Sequence, residues 1–372
     1  MALALTALLS TAGGVVAHGI YFLTREAYRF EDDDSLRLAI ATFLLYVPGA
    51  LVAGRLGRAI GARSALHLGN AVSLAAALVL AFTPPVWGLW AAVALYNGAA
   101  GLMWPLVEGY AARHPAGMHQ AIGRFNLTWS LALAPALWLV AAIGHDLALT
   151  FGVLLAFHLA LGAAIAALPA EPPPHEDAHG GPGAPDHYRE LLRQSRVLLP
   201  IAYLLLYTLT PLLPGVWAGV GLEGTLGAAL TSVWMIARFV LFYAFTRNGA
   251  WRGRRRTLVG GVAGLLGGFA LVLSGGSVPA VLAGLALFGA GHAAVYFSAL
   301  YYGMSVGKGD VESGGAHEAM IGVGYLGGPV LGIIGLASGI PPVQLVGAMA
   351  TVGMAAGLWP RAARPVTRPS RG

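Results

Sequence analysis

The sequence predicts an all-α polytopic membrane protein of twelve transmembrane helices, arranged as two pseudo-symmetric six-helix bundles. Three observations carry that reading. Charged residues make up 10% of the chain and hydrophobic residues 57%, whereas an ordinary soluble domain is about a quarter charged. So few charges cannot clothe a water-facing surface, so most of the solvent must be lipid. Apolar runs recur along the chain, each near the ~20 residues that cross a bilayer as a helix. The arginines cluster on alternate breaks between those runs.

Taken in order, the runs are 3–23, 37–56, 65–83, 86–109, 126–144, 148–169, 197–219, 226–246, 257–275, 279–303, 318–338 and 341–360. They are too long for barrel strands, and in lipid an isolated span can satisfy its backbone only as a helix. The first has no basic stretch before it and outlasts a signal-peptide core, so it reads as an uncleaved span. The seventh carries Pro200, Pro211 and Pro214, so a kink or break is expected there. Glycines such as Gly260, Gly261, Gly264, Gly267 and Gly268 suit helices that approach closely.

Placing the even-numbered loops and both termini on the cytoplasmic side puts eighteen basic residues there and only Arg25, Arg29 and Arg37 outside. Arg238 falls within a span. This is the positive-inside pattern, and removing one helix would scramble it. Lys308 is the only lysine among 22 basic residues. That arginine bias suggests a bacterial source and an inner (cytoplasmic) membrane location.

The expected domains are a bundle over 1–169, a cytoplasmic linker over 170–196, a second bundle over 197–360 and a basic tail over 361–372. The linker opens with Pro172, Pro173 and Pro174 and continues through Gly180, Gly181, Pro182 and Gly183, the composition of a flexible connection. Its His175, Glu176, Asp177, His179 and His187 lack ligand spacing, so no metal site is assigned. Tyr188 to Arg196 reads as a short amphipathic helix on the membrane face. Cysteine is absent, which excludes disulfides and thiolate metal sites.

The two halves superpose at an offset of about 194 residues. Ser130, Ala134 and Pro135 of the fifth span then meet Gly324, Gly328 and Pro329 of the eleventh, which continues to Gly332. Both read small-x-x-x-small-Pro, which allows close approach and a bend. The glycine- and arginine-bearing loop Gly54–Arg63 is echoed by Trp251–Arg256.

On these features the chain resembles the major facilitator superfamily of secondary transporters. Gly54, Leu56, Gly61 and Arg63 match the family's second-to-third-span signature, but Arg58 stands where its aspartate belongs. The resemblance implies a central cavity opened alternately to each side and lined by spans one, four, seven and ten. The eleventh-span pattern is similar to one carried by many exporters of the family, so export is favoured over import.

Ionisable and polar groups within spans are the candidate site. Arg238 either faces the cavity or serves a structural pairing. His18 and His292 either carry a coupling proton or bond to a neighbouring helix. Asn97 and Tyr296 orient a substrate or bridge helices, and His158 belongs to the outer scaffold. Arg58, Glu108 and Glu318 are the candidate gating groups. Glu318, opening span eleven, would pair with Arg58 as a charge-reversed latch, with Glu108 as competing partner. The plainer reading of Arg58 is an interfacial arginine facing phosphates. No Asp or Glu falls at the centre of a predicted span, so coupling would run through His18, His292 or Glu108, or be absent.

The expected activity is secondary or facilitative transport of a small neutral or amphipathic solute, by a monomer in the lipid bilayer. No cofactor, metal or nucleic acid is assigned, and no phosphate-cradling loop or hydrolase signature is present. The chain is therefore not read as an enzyme. The alternative is a transporter-like sensor or assembly protein without flux.

Overall fold

A computed structural model describes residues 1–82, 84–111, 118–172, 185–222, 224–307 and 311–359. The described residues are helical, with no strand among them. Among the described residues eleven helices are long and apolar enough to cross a membrane: α1 (Ala2–Ala27), α2 (Asp32–Ile60), α3 (Ala62–Ala81), α4 (Val86–Ala111), α5 (Met118–Ile143), α6 (Leu147–Ala166), α7 (Asp186–Gly219), α8 (Leu226–Arg247), α9 (Arg255–Ser274), α10 (Val278–Gly307) and α11 (Val311–Ala337). A twelfth, α12 (Pro342–Leu358), is apolar and 17 residues long, at the lower limit for a span.

The helices pair in matching fashion within the two halves. In the first, α1 runs against α5 and α6, while α4 runs against α2 and α3. In the second, α7 runs against α11 and α12, while α10 runs against α8 and α9. The joints between halves follow the same rule, α5 against α8 and α2 against α11. This is the pairing that a duplicated six-helix unit produces about an axis along the membrane normal.

The outward faces bear large apolar side chains, among them Leu51, Leu159, Val240 and Val352. Phe82, Trp87 and Trp359 are exposed at helix ends, where aromatic rings suit the membrane–water boundary. Between α9 and α10 the approach is set by glycine. A Cβ on Gly261, Gly264 or Gly268 would strike α10, whereas Gly260 and Gly267 face open space.

Three local expectations need correction. First, α7 is unbroken from Asp186 to Gly219 despite its three prolines. Its partners α10, α11 and α12 clamp it on several sides, so lost backbone bonds do not become a break. Second, the stretch Tyr188 to Arg196 is not a separate surface helix but lies within the first turns of α7. Leu191 and Leu192 are buried, and Arg193 and Gln194 donate to the carbonyls of Trp359 and Leu358 at the end of α12. Third, the glycine-arginine loop is mostly helix: α2 continues to Ile60, and only Gly61 (φ +86°) makes the turn. There the Ala62 N–H donates to Glu171. The linker residues His175, Glu176, Asp177 and His179 lie outside the described residues, as does the basic tail.

The acidic run after the first span is likewise part of a helix. Asp32, Asp33 and Asp34 form the first turn of α2, with Glu31 and Asp34 completing a reciprocal cap. Carboxylates at that end are favoured by the helix dipole.

The regular helix of α1 is interrupted at Val15–Gly19 by one π-helical turn that contains His18. Such turns insert an extra residue and concentrate at functional sites.

Candidate functional site

A cavity of about 90 Å³ lies between the two halves. It has room for about six to nine waters, at roughly 10–15 Å³ per molecule. Its wall draws on α1, α2, α4 and α5 from one half and α7, α8, α10 and α11 from the other. Lining residues on α4 run from Asn97 through Trp104 to Glu108, and on α11 from Glu318 to Tyr325. The space therefore extends from mid-depth toward the α4–α5 and α10–α11 connections. In its wall Phe43, Tyr207 and Tyr325 pack together with ring centroids 4.3–4.5 Å apart.

Arg238 is 1% exposed. Its guanidinium carbon lies over two indoles, 4.2 Å from the Trp129 ring centroid and 4.4 Å from that of Trp234. Nε donates to Ser130 Oγ at 3.2 Å, while Nη2 has no hydrogen-bond partner. Among the described residues no carboxylate forms an ion pair with it. Burying a cation costs several kcal/mol even after relaxation. Two desolvated cation–π contacts offset about 2 kcal/mol each, and the unpartnered N–H costs about 1–3 kcal/mol. The site is thus held together but left one acceptor short.

The second charged feature is an acid pair. Glu318, 5% exposed, accepts a hydrogen bond from the Tyr46 hydroxyl and meets the Glu108 carboxyl. Two carboxyl groups can hydrogen-bond only if a proton sits on one of them. Glu108 Oε1 has no donor of its own. Tyr46 and Glu108 belong to the first bundle and Glu318 to the second, so the contact crosses the joint between halves.

The expected pairing of Arg58 with Glu318 is not formed. Arg58 lies on the exposed face of α2, while Glu318 turns inward to Tyr46 and Glu108. The physical reason is the depth of Glu318. α11 begins at Val311 rather than at Glu318, which sets that carboxyl about two turns inside the helix and out of the interface.

His18, Asn97, Arg238 and Tyr296 all line the cavity, but His292 does not. His18 packs on Tyr207 and edge-on to Trp234 at 5.4 Å, with Nδ1 unpartnered. Asn97 donates to its own helix at Val93. Tyr296 sits among Trp129, Phe242, Tyr203 and His317. His292 lies behind it against Tyr203, both ring nitrogens unpartnered and fully buried. His158 is a scaffold group with both nitrogens used, Nδ1 on Asn70 Oδ1 and Nε2 on Tyr96 hydroxyl, each at 2.8 Å. The Asn70 amide returns a bond to the His158 carbonyl.

The eleventh-helix glycines serve packing. A Cβ on Gly324 or Gly328 would strike the backbone of α7 near Leu204, and one on Gly332 would strike Leu36 of α2. Pro329 lies inside the helix. In the fifth helix the corresponding small residue, Ser130, instead supplies the oxygen that holds Arg238.

Sequence reasoning missed Trp129, Ser130 and Tyr46. Ser130 was read only as the first small residue of the repeat motif, and Trp129 is the indole just before it. No local pattern marked Tyr46, whose partner is on another helix.

A twelve-helix, two-bundle membrane fold around a shared charged cavity defines the transporter class. The chain belongs to the Major Facilitator Superfamily, whose family model matches residues 3–316. No curated protein sequence matches it significantly. Among solved structures it is similar to the nucleoside transporter NupG in mutant form (TM-score 0.72, 12% identity, 96% of this chain and 97% of that one). It is also similar to the human organic anion transporter MFSD10 (0.68, 16%, 96% and 97%). A third is a mutant of the E. coli fucose:proton symporter FucP (0.62, 14%, 96% and 96%).

Proposed function

We propose that the chain is a secondary transporter that moves a small amphipathic solute by alternating access, with the Glu108–Glu318 pair carrying a coupling proton. The observation that supports this reading is a cavity walled by both bundles, in which one acid from each meets at the joint between them. Rocking one bundle against the other must separate Glu108 and Tyr46 from Glu318. The shared proton then has to be resolved onto one carboxyl, which ties opening to proton occupancy.

The cavity is enclosed within one chain, so a monomer suffices for transport. The arginine distribution supports both termini on the cytoplasmic side of a bacterial inner membrane. The cavity then lies toward the cytoplasm. Close packing against α7 accounts for the Gly324–Gly328 pattern, so direction is set by the solute and proton gradients rather than by that motif.

Reconstitution into liposomes tests the reading. A panel of small solutes is first screened for thermal stabilisation of the purified chain, and binders are then followed for flux with and without a proton gradient. Gradient-dependent flux supports transport. Binding without flux supports the sensor reading instead.

A further inference from the structure

The guanidinium of Arg238 is built into the wall yet incompletely satisfied. The Trp129 and Trp234 rings pack against it, Nε donates to Ser130, and Nη2 is buried without a partner in a residue that lines the cavity. We propose that the cavity is a binding site for a small monocarboxylate, whose oxygens take the open edge of Arg238 and whose body lies against the aromatic wall. This rests on the transport reading for its use, but the binding chemistry stands by itself.

Four features narrow the ligand. With two indoles against the guanidinium and Nη2 unpartnered, an N–H edge is left for an acceptor, the geometry in which planar carboxylates bond to arginine. Among the described residues one permanent cation, Arg238, lines the space. A dianion such as a phosphate monoester, at about −1.5 to −2 near neutral pH, would leave uncompensated charge there. The volume, room for about six to nine waters, excludes large solutes unless the halves part. The remaining wall includes Phe43, Tyr203, Tyr207 and Tyr325, which favours an apolar or aromatic body over a sugar.

The test uses the full chain purified in detergent and needs no knowledge of the natural solute. Binding of acetate, butyrate and benzoate is measured by calorimetry beside the matched neutral amides acetamide, butyramide and benzamide. The acids are expected to bind, tightest for benzoate, and the amides to bind at least about tenfold more weakly, since a charge-assisted contact is lost. Arg238→Gln should remove that preference for acids. Arg238→Lys should keep part of it, because charge remains while the stacked fork does not. If either variant fails to fold, the acid–amide comparison on the wild-type chain decides alone.

Equal binding of acids and amides, or no binding of any acid at millimolar concentration, would overturn the proposal. Flux in liposomes is read separately. Acid binding without flux sinks the transport reading and leaves the anion site standing. Amide flux without acid binding does the reverse.

Discussion

Tyr46 on α2 donates a hydrogen bond to Glu318 on α11, linking two residues 272 positions apart and one bundle to the other. The phenol is the neutral donor in a group otherwise made of two acids, and it fixes which oxygen of Glu318 faces the joint. Three groups from two halves thus form a single polar contact in an apolar wall.

Tyr46→Phe removes that donor and keeps the ring. A hydrogen bond to a charged or proton-sharing acid contributes about 1.5–3 kcal/mol, so the joint should open more often. The chain has no cysteine, so Ala100→Cys in the cavity wall gives a single reporter thiol. Maleimide labelling of that thiol should accelerate roughly tenfold or more in the Tyr46→Phe background. An unchanged rate would mean that the bond does not hold the halves together.

Glu318→Gln replaces the acid with an amide that donates without a titrating proton. If the pair carries the coupling proton, solute counterflow should persist while net uptake loses its response to a pH gradient. Glu108→Gln should act in the same way, and the double variant should add little, because the two acids share one function. Retention of the wild-type pH response by both single variants would sink the coupling role.

His158→Leu strips Asn70 Oδ1 and the Tyr96 hydroxyl of their imidazole partner in the first bundle. Each buried polar group so stranded costs about 1–3 kcal/mol, so thermal unfolding should begin at lower temperature. Binding in the cavity should be unchanged, since His158 does not line it. Adding Asn70→Ala should cost less than the sum of the two single changes. Loss of solute affinity in His158→Leu would contradict its assignment to the scaffold.

Gly327 and Gly328 offer an internal control. A Cβ on Gly328 meets the Leu204 carbonyl and the Thr208 amide, while one on Gly327 finds Leu204 Cδ1 at 3.5 Å, an ordinary contact. Gly328→Ala should therefore destabilise by about 1–3 kcal/mol through overpacking, and Gly327→Ala should be nearly neutral. Equal unfolding temperatures for the two would show that α7 and α11 can part without cost.

The helices were legible because hydropathy and arginine placement act locally on each segment, and lipid allows few alternatives. Helix ends were less legible. Glu108 and Glu318 sit at the margins of their apolar runs, where a carboxylate reads as interfacial. Their burial comes from α4, α2 and α11 meeting across the joint, a relation between segments more than two hundred residues apart. Arg238 stood out because a lone cation in an apolar run has no local excuse. Its partners Trp129 and Ser130 did not, since indoles and small residues are common in any span. The same limit explains Arg58. Its charge was paired with the acid expected to open span eleven, as a charge-reversed latch, and the longer α11 carries that acid out of reach.

The π-helical turn at Val15–Gly19 makes α1 two rods in different phase. Each residue of an α-helix advances by about 100°, so the inserted residue turns Leu9, Ser10 and Gly13 by roughly that angle relative to Tyr21 and Phe22. Removing one residue from that turn would let the helix run regularly while rotating the earlier segment away from the cavity. The chain thus keeps in α1 a single spare residue that sets which stripe of the helix faces the cavity.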